Sequence, residues 1–267
     1  MRNIEAAYKA VDQDTAEVVS KLITDLGVPP TLDAAEALAR ELYPVLLHRR
    51  REMWAKEAAL IVSEHPNFVI PEPRHYPVTA LTKLIRNCAG LSAKPRLMQL
   101  ELFDPETIAM QTKRVAPAWL PDDNAVVVEM KRRLIVGVAR HVKQASRSLV
   151  FDTAAANNVR FARRLTGQEN CAFCALMASR GAVYTTARKA GGLGNQFHDH
   201  CDCWIELVPD PDRWEGREEA DHYHAMWFDG YDGHHSNAED FREFRRRFKE
   251  EQSKNLLNPT TPRRIFA

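Results

Sequence analysis

CAFC at 171–174 and FHDHCDCW at 197–204 hold four of the five cysteines, Cys171, Cys174, Cys201 and Cys203, with His198 and His200 beside the second pair. Thiolate sulfur and imidazole nitrogen are the donors of a tetrahedral zinc site. Close pairs from two separate segments are the usual way to supply four of them. The two residues between Cys171 and Cys174 let both sulfurs turn toward one ion from a tight knuckle. The single residue between Cys201 and Cys203 puts both sulfurs on one face of an extended backbone. The pattern predicts a metal-stapled module, ββα-like or treble-clef-like, with a knuckle, a short helix and a returning strand. Six candidates compete for four places: Cys171, Cys174, Cys201 and Cys203, or His198 or His200 in place of one cysteine. A fully occupied site has no open position for water or substrate, which favours structure over catalysis.

Two other readings of the thiols remain beside this one, disulfide or redox pairs and buried thiols. The opening MRNIEAAYKAVDQD lacks the apolar core of a secretory signal, so the expectation is synthesis in a reducing cytoplasm, where stable disulfides are rare.

Outward from this stretch the chain reads as helical. Its 267 residues suffice for one large domain or two small ones, and 45% hydrophobic with 27% charged residues is a globular composition. A net charge of +1 argues against a chain built to coat nucleic acid, though not against local basic patches. No apolar run reaches the roughly 18–20 residues of a membrane span, so no membrane partner is expected. Residues 3–26 carry an apolar stripe and stop at Gly27 and Pro29. A second helix is predicted from Asp33 to about Glu64, opened by the capping-box pair Asp33 and Glu36 and kinked or broken at Pro44. Four prolines at 66, 71, 73 and 77 make a loop, followed by a helix over 79–89. Asp104 and Pro105 mark another start. The longest central helix is expected over 124–148, then a shorter one over 150–157.

At 159–164 the period changes to alternation, which predicts a strand entering the cysteine module. A short helix at 175–181, closed by Gly181, a brief strand at 182–184 and a returning strand at 203–208 complete it. Residues 210–235 read as a polar linker. A final helix, 237–257, opens on Ser236 and Glu239 and carries Phe241, Phe244 and Phe248 on one face, before a tail. The fold class is therefore mainly α with a small α+β Cys/His metal-stapled module. The divisions are 1–158 helical, 159–209 cysteine module, 210–235 linker and 236–267 C-terminal helix and tail.

RRLTGQENCAFCALMASRGAVY, followed by FHDHCDCWIELVP, resembles the MuF-like minor head proteins of tailed bacteriophages, in the form found in actinobacterial phages. That family's hallmark is Cys-x-x-Cys followed at a distance by His-x-x-Cys-x-Cys. Cys171 and Cys174 occupy the first element, and His198, Cys201 and Cys203 the second. Arg164 and Gly167 match the arginine and glycine that commonly precede the first cysteine. Asp199 stands where proline is usual, Asp202 where arginine is usual, and His200 is an additional donor. The resemblance covers about residues 159–209. It implies a phage minor capsid protein acting in head morphogenesis, inside the capsid near the portal. The implied partners are portal, capsid or scaffold proteins and packaged DNA. It also implies DNA packaging or delivery as a task, and virion localisation after synthesis in the host cytoplasm.

The expectation is a non-enzymatic protein, weighed against two alternatives. A capsid maturation protease needs a nucleophile beside a base. Ser146, Ser148 and Ser179 are available, but His141 and Ser148 are two helical turns apart and no Gly-x-Ser-x-Gly is present. A DNA-binding or nuclease zinc module could use His198, Asp199, His200 and Asp202, or His234 and His235. The plainer reading makes these residues support for the ligands. Arg242, Arg245, Arg246, Arg247 and Lys249 could meet phosphates. The plainer reading is an amphipathic helix with its arginines solvated. Cys88 reads as core of the third helix, and His222, His224 and Trp227 as loop and packing residues. Trp54, Trp119 and Trp214 do not by themselves establish an interface.

Overall fold

In the computed structural model of the chain, residues 4–91, 123–165, 170–186, 203–228 and 237–257 are described. The helix expected after Asp104, Gly167, and the loop with the glycines at 191, 192 and 194 lie outside them. Seven helices and two strands follow in order among the described residues: α1 Ile4–Leu26, α2 Leu32–Glu64, α3 Val78–Cys88, α4 Ala125–Ala156, β1 Arg160–Arg164, α5 Ala172–Ala178, β2 Trp204–Val208, α6 Arg217–Phe228 and α7 Asn237–Leu257. The fold is mainly α. No described helix is long and apolar enough to cross a membrane.

The chain forms two compact units. One comprises Ala6–Ala55 and Pro73–Ala145. Its helices assemble because each buries one stripe. On α1, Tyr8, Val11, Thr15, Val19 and Ile23 are buried at spacings of three and four. On α2 the stripe runs through Ala35, Leu38, Ala39, Leu42, Leu46 and Met53. Polar ties accompany the apolar contact. Lys143, 4% exposed, meets Asp12 at 2.7 Å and lies over the Tyr8 ring. Arg86 bonds Glu36 at 3.0 Å. Gly137 of α4 admits Leu84 of α3 so closely that a Cβ there would sit 2.5 Å from its methyl carbon.

Helix ends follow local chemistry. Thr31, not Asp33, caps α2, its Oγ1 accepting from the Ala34 amide at 3.2 Å. The helix then runs through Pro44 unbroken. Asn124 caps α4 by accepting from the Val126 amide at 2.9 Å. The expected break near residue 149 is absent, and α4 continues to Ala156. Gly90, at φ +72°, closes α3 with the Leu91 amide on the Arg86 carbonyl at 2.8 Å, a Schellman ending.

The other unit comprises residues 1–5, Lys56–Glu72 and Ser146–Ala267. Its sheet is two antiparallel strands, with Arg163 opposite Ile205 and Arg164 opposite Trp204. Phe161 is wholly buried, packed on Phe151 at 5.0 Å and on Tyr184 at 5.8 Å between ring centroids. The expected third strand reduces to one bridge, between Phe161 and Tyr184. The stretch read as a linker instead contains α6. Its Tyr223, Met226 and Trp227 pack with Phe241, Phe244 and Phe248 of α7 against Ala172 and Ala175 of α5. Three helices thus share one aromatic core, and α7 is part of the unit that carries the cysteines.

Candidate metal centre

Cys171 lies at the N-cap of α5 in extended conformation (ψ 144°). Its sulfur accepts from the Cys174 amide at 3.2 Å. The helix begins three residues earlier than the sequence suggests, so Cys174 is within its first turn and buried at 3% exposure. Cys-x-x-Cys here is a helix start in which sulfur does the capping that serine or aspartate oxygen does elsewhere. Cys203 is the residue before β2 and is 1% exposed. No disulfide joins Cys88, Cys171, Cys174 or Cys203 to one another.

Two buried guanidinium groups converge on this point. Arg163 of β1, 1% exposed, donates from Nη2 to Cys203 Sγ at 2.9 Å and reaches Cys174 Sγ at 3.9 Å. Arg147 of α4, fully buried, donates from Nη2 to the Cys203 carbonyl at 2.9 Å. Strand and helix therefore bring the second sulfur of each cysteine pair to a single guanidinium. Sequence reasoning singled out neither arginine. No sequence signal marked Arg163, because its role depends on the burial of its strand and on sulfurs from two other segments.

The donor types here are those of a zinc thiolate site, but their placement among the described residues does not make one. The amide of Cys174 already donates to the Cys171 sulfur, and a buried guanidinium is best balanced by negative charge, which zinc-bound thiolates supply. Cys171, Cys174 and Cys203 are the described candidates, and they are not placed together as a three-ligand group. Among the described residues no group of three or more His, Cys, Asp or Glu is placed to hold an ion. Cys201, His198 and His200, the other candidates, lie outside the described residues, as do Asp199, Asp202, His234 and His235.

The same sheet carries a partly buried ion cluster. Arg164 bonds Glu206 at 2.6 Å and Glu219 at 2.8 Å. It stacks between the rings of Trp204 and Trp214, 5.6 and 5.9 Å from their centroids. Burial works against its charge, but the two carboxylates outweigh that and raise its pKa. Gly216 is required here: a Cβ would fall 2.3 Å from Trp214 and 2.5 Å from Arg164. Arg164 is the arginine that the sequence resemblance picked out, and its structural work is to tie β1 to β2 and α6.

The other candidates are placed as follows. His141 Nδ1 meets the Tyr76 hydroxyl at 2.5 Å, and burial, with Arg140 and Arg50 nearby, pushes its pKa down to about 4. Ser146 donates to Glu57 at 3.0 Å and Ser179 to the Leu176 carbonyl at 2.7 Å. Ser148 and His141 occupy one unbroken helix, about 10 Å apart along its axis. On α7, Arg246 and Arg247 both bond Glu243, whose pKa falls to about 2 through those bonds. Arg242 approaches Glu239 at 3.9 Å, and Arg245 is exposed. Lys249 bonds Gln252 at 3.2 Å and reaches the Asn170 carbonyl at 3.5 Å. These five cations do not form one uncompensated basic face. His222 and His224 are on α6 rather than in a loop, and His222 meets Glu251 at 3.0 Å.

Fold and site together define a mainly helical protein with a small cysteine-bearing α+β element. The family model of VG15 protein matches residues 89–230, more than half of the 267 residues and the whole of this element. The chain belongs to that phage-derived viral family and is a phage protein. No curated protein and no solved structure matches it.

Proposed function

We propose that the chain is a MuF-like minor head protein, a non-enzymatic component of head morphogenesis near the portal, with a structural zinc in its cysteine module. The observation that carries this reading is the pairing of Cys174 with Cys203 around Arg163, within a stretch that belongs to a phage family. Cys174 and Cys203, from two segments distant in sequence, both lie within reach of Arg163, and a structural zinc drawing on both segments would need such an approach. A buried staple of this kind lets a two-stranded sheet with short helices hold a fixed shape. Portal, capsid or scaffold proteins are the partners this role implies, with packaged DNA a further one. The virion interior is its place. Protease and nuclease readings have less support. The hydroxyls of Ser146 and Ser179 are committed to other partners, and Arg246 and Arg247 to Glu243.

The test is made in the phage that encodes the chain. Quantitative mass spectrometry of purified heads is expected to find it in few copies. Cys174→Ser is expected to lower the yield of infectious heads, with Cys88→Ser as the control. Normal infectious heads with Cys174→Ser, or a chain absent from heads, would count decisively against the proposal.

A further inference from the structure

At the approach to α3 the chain is held by a single side chain. Residues 73–75 and 77–79 are exposed, and Tyr76 between them is buried at 8% exposure. We propose that Tyr76 and His141 form an acid-released latch, in which protonation of the imidazole frees the tyrosine and lets residues 73–77 leave α2 and α4. Every residue of the latch belongs to the unit of Ala6–Ala55 and Pro73–Ala145, and the cysteines take no part in it.

Several contacts converge on Tyr76. Its hydroxyl meets His141 Nδ1 at 2.5 Å, and its carbonyl accepts from the Tyr43 hydroxyl of α2 at 2.6 Å. The Arg50 guanidinium lies over its ring, 4.4 Å from the centroid, and donates to the His141 carbonyl. The His141 ring stands edge-on to it at 5.6 Å between centroids. On the other side of the imidazole, Arg140 Nη2 is 3.5 Å from Nε2. In either neutral tautomer one ring nitrogen accepts, from the Tyr76 hydroxyl or from Arg140. The imidazolium carries N–H on both nitrogens and accepts from neither. It also sets a third positive charge beside Arg50 and Arg140. Carboxylates of α1 and α2 pair elsewhere: Asp12 with Lys143, Asp14 and Glu52 with Arg49, and Glu36 with Arg86. Among the described residues none pairs with His141. Burial raises the Tyr76 hydroxyl above its ordinary range, so it keeps its proton and stays a donor. Burial, then Arg140 and Arg50, hold the His141 pKa at about 4, below its ordinary 6.5. A released imidazole binds its proton near the ordinary value, so the latched form loses ground as pH falls from 6.5 toward 4. The loss is up to about tenfold per pH unit and about 300-fold in all.

The test takes the full chain from neutral pH to about pH 4 and reads ring exposure by hydroxyl-radical footprinting with mass spectrometry. Labelling of Tyr76 is expected to rise as pH falls, while Tyr184, wholly buried in the other unit, stays protected. His141→Gln keeps an acceptor for the hydroxyl and does not titrate, so its Tyr76 labelling should stay flat. Imidazole NMR of the wild-type chain is an arm that needs no substitution, with the His141 midpoint expected near 4. If His141→Gln does not fold, that midpoint decides. A Tyr76 that stays protected at the acid end, or is labelled equally in wild type and His141→Gln, overturns the latch. A His141 midpoint at the ordinary 6.5 does the same. Labelling of Tyr184 together with Tyr76 would be general acid unfolding and would overturn it too. Each of these outcomes leaves the structural-zinc reading untouched.

Discussion

Arg164 shows how much of this unit depends on single buried charges. It is held by Glu206 and Glu219 and stacked between Trp204 and Trp214. Removing the cation leaves Glu206, itself 5% exposed, without its closest partner. A buried carboxylate stranded in this way costs about 3–5 kcal/mol. Arg164→Met is therefore expected to lower stability by about that amount in urea denaturation, and adding Glu206→Gln should restore part of it. Additive losses in the double variant would show that the two do not act as a pair. Arg164 could be flagged from sequence because it matches a family position. Arg163, one residue earlier, could not, because its value lies in which sulfurs it meets, and those come from two other segments.

Helix α7 has the bounds that its sequence predicts, and what changed is the element it packs on. Its amphipathic pattern was plain in sequence, and Phe244 and Phe248 are indeed buried, at 1% and 4% exposure. Its partner was not visible. Helix α6 occupies a stretch rich in aspartate, histidine and glycine, and its apolar residues Ala220, Tyr223 and Trp227 span only two turns. So short a period is easily lost among polar neighbours. Glu218 and Glu219 in its first turn suit the positive end of the helix dipole. Phe244 packs edge-on against Trp227 and stacks on Phe248. Phe244→Ala is expected to cost about 3–5 kcal/mol in thermal or urea unfolding. Arg245→Ala, on the exposed side, should stay within about 0.5 kcal/mol. Equal losses for the two would mean that α7 is not a core element. The cysteine stretch is thus braced by a helix more than sixty residues downstream.

The molecule as a whole divides its work between two compact units. The described candidate ligands all belong to the unit that includes Ser146–Ala267. Chelation of the proposed zinc is expected to raise amide hydrogen exchange in residues 160–164, 172–178 and 204–208. Exchange in α1 and α3 of the other unit should stay as it was, because local opening follows cooperative units. Uniform protection throughout after complete metal removal would mean the module does not need its staple. The family match covers residues 89–230 and so includes most of the cysteine-bearing unit's own sequence. That match establishes a phage protein, and the proposed work in the head rests on the site.

The sequence by itself determined that the chain is mainly helical and where a strand enters and leaves the cysteine stretch, and it proposed candidate metal donors by their spacing. These are properties of local pattern, namely the periods of 3.6 and 2, the prolines and glycines that end them, and the spacing of donors. The tertiary structure alone decided that Cys174 and Cys203 meet at Arg163, that Arg147 anchors the Cys203 carbonyl, and that α6 is a helix rather than a linker. Each of these depends on burial, and burial is set by partners from other segments, which no local pattern encodes.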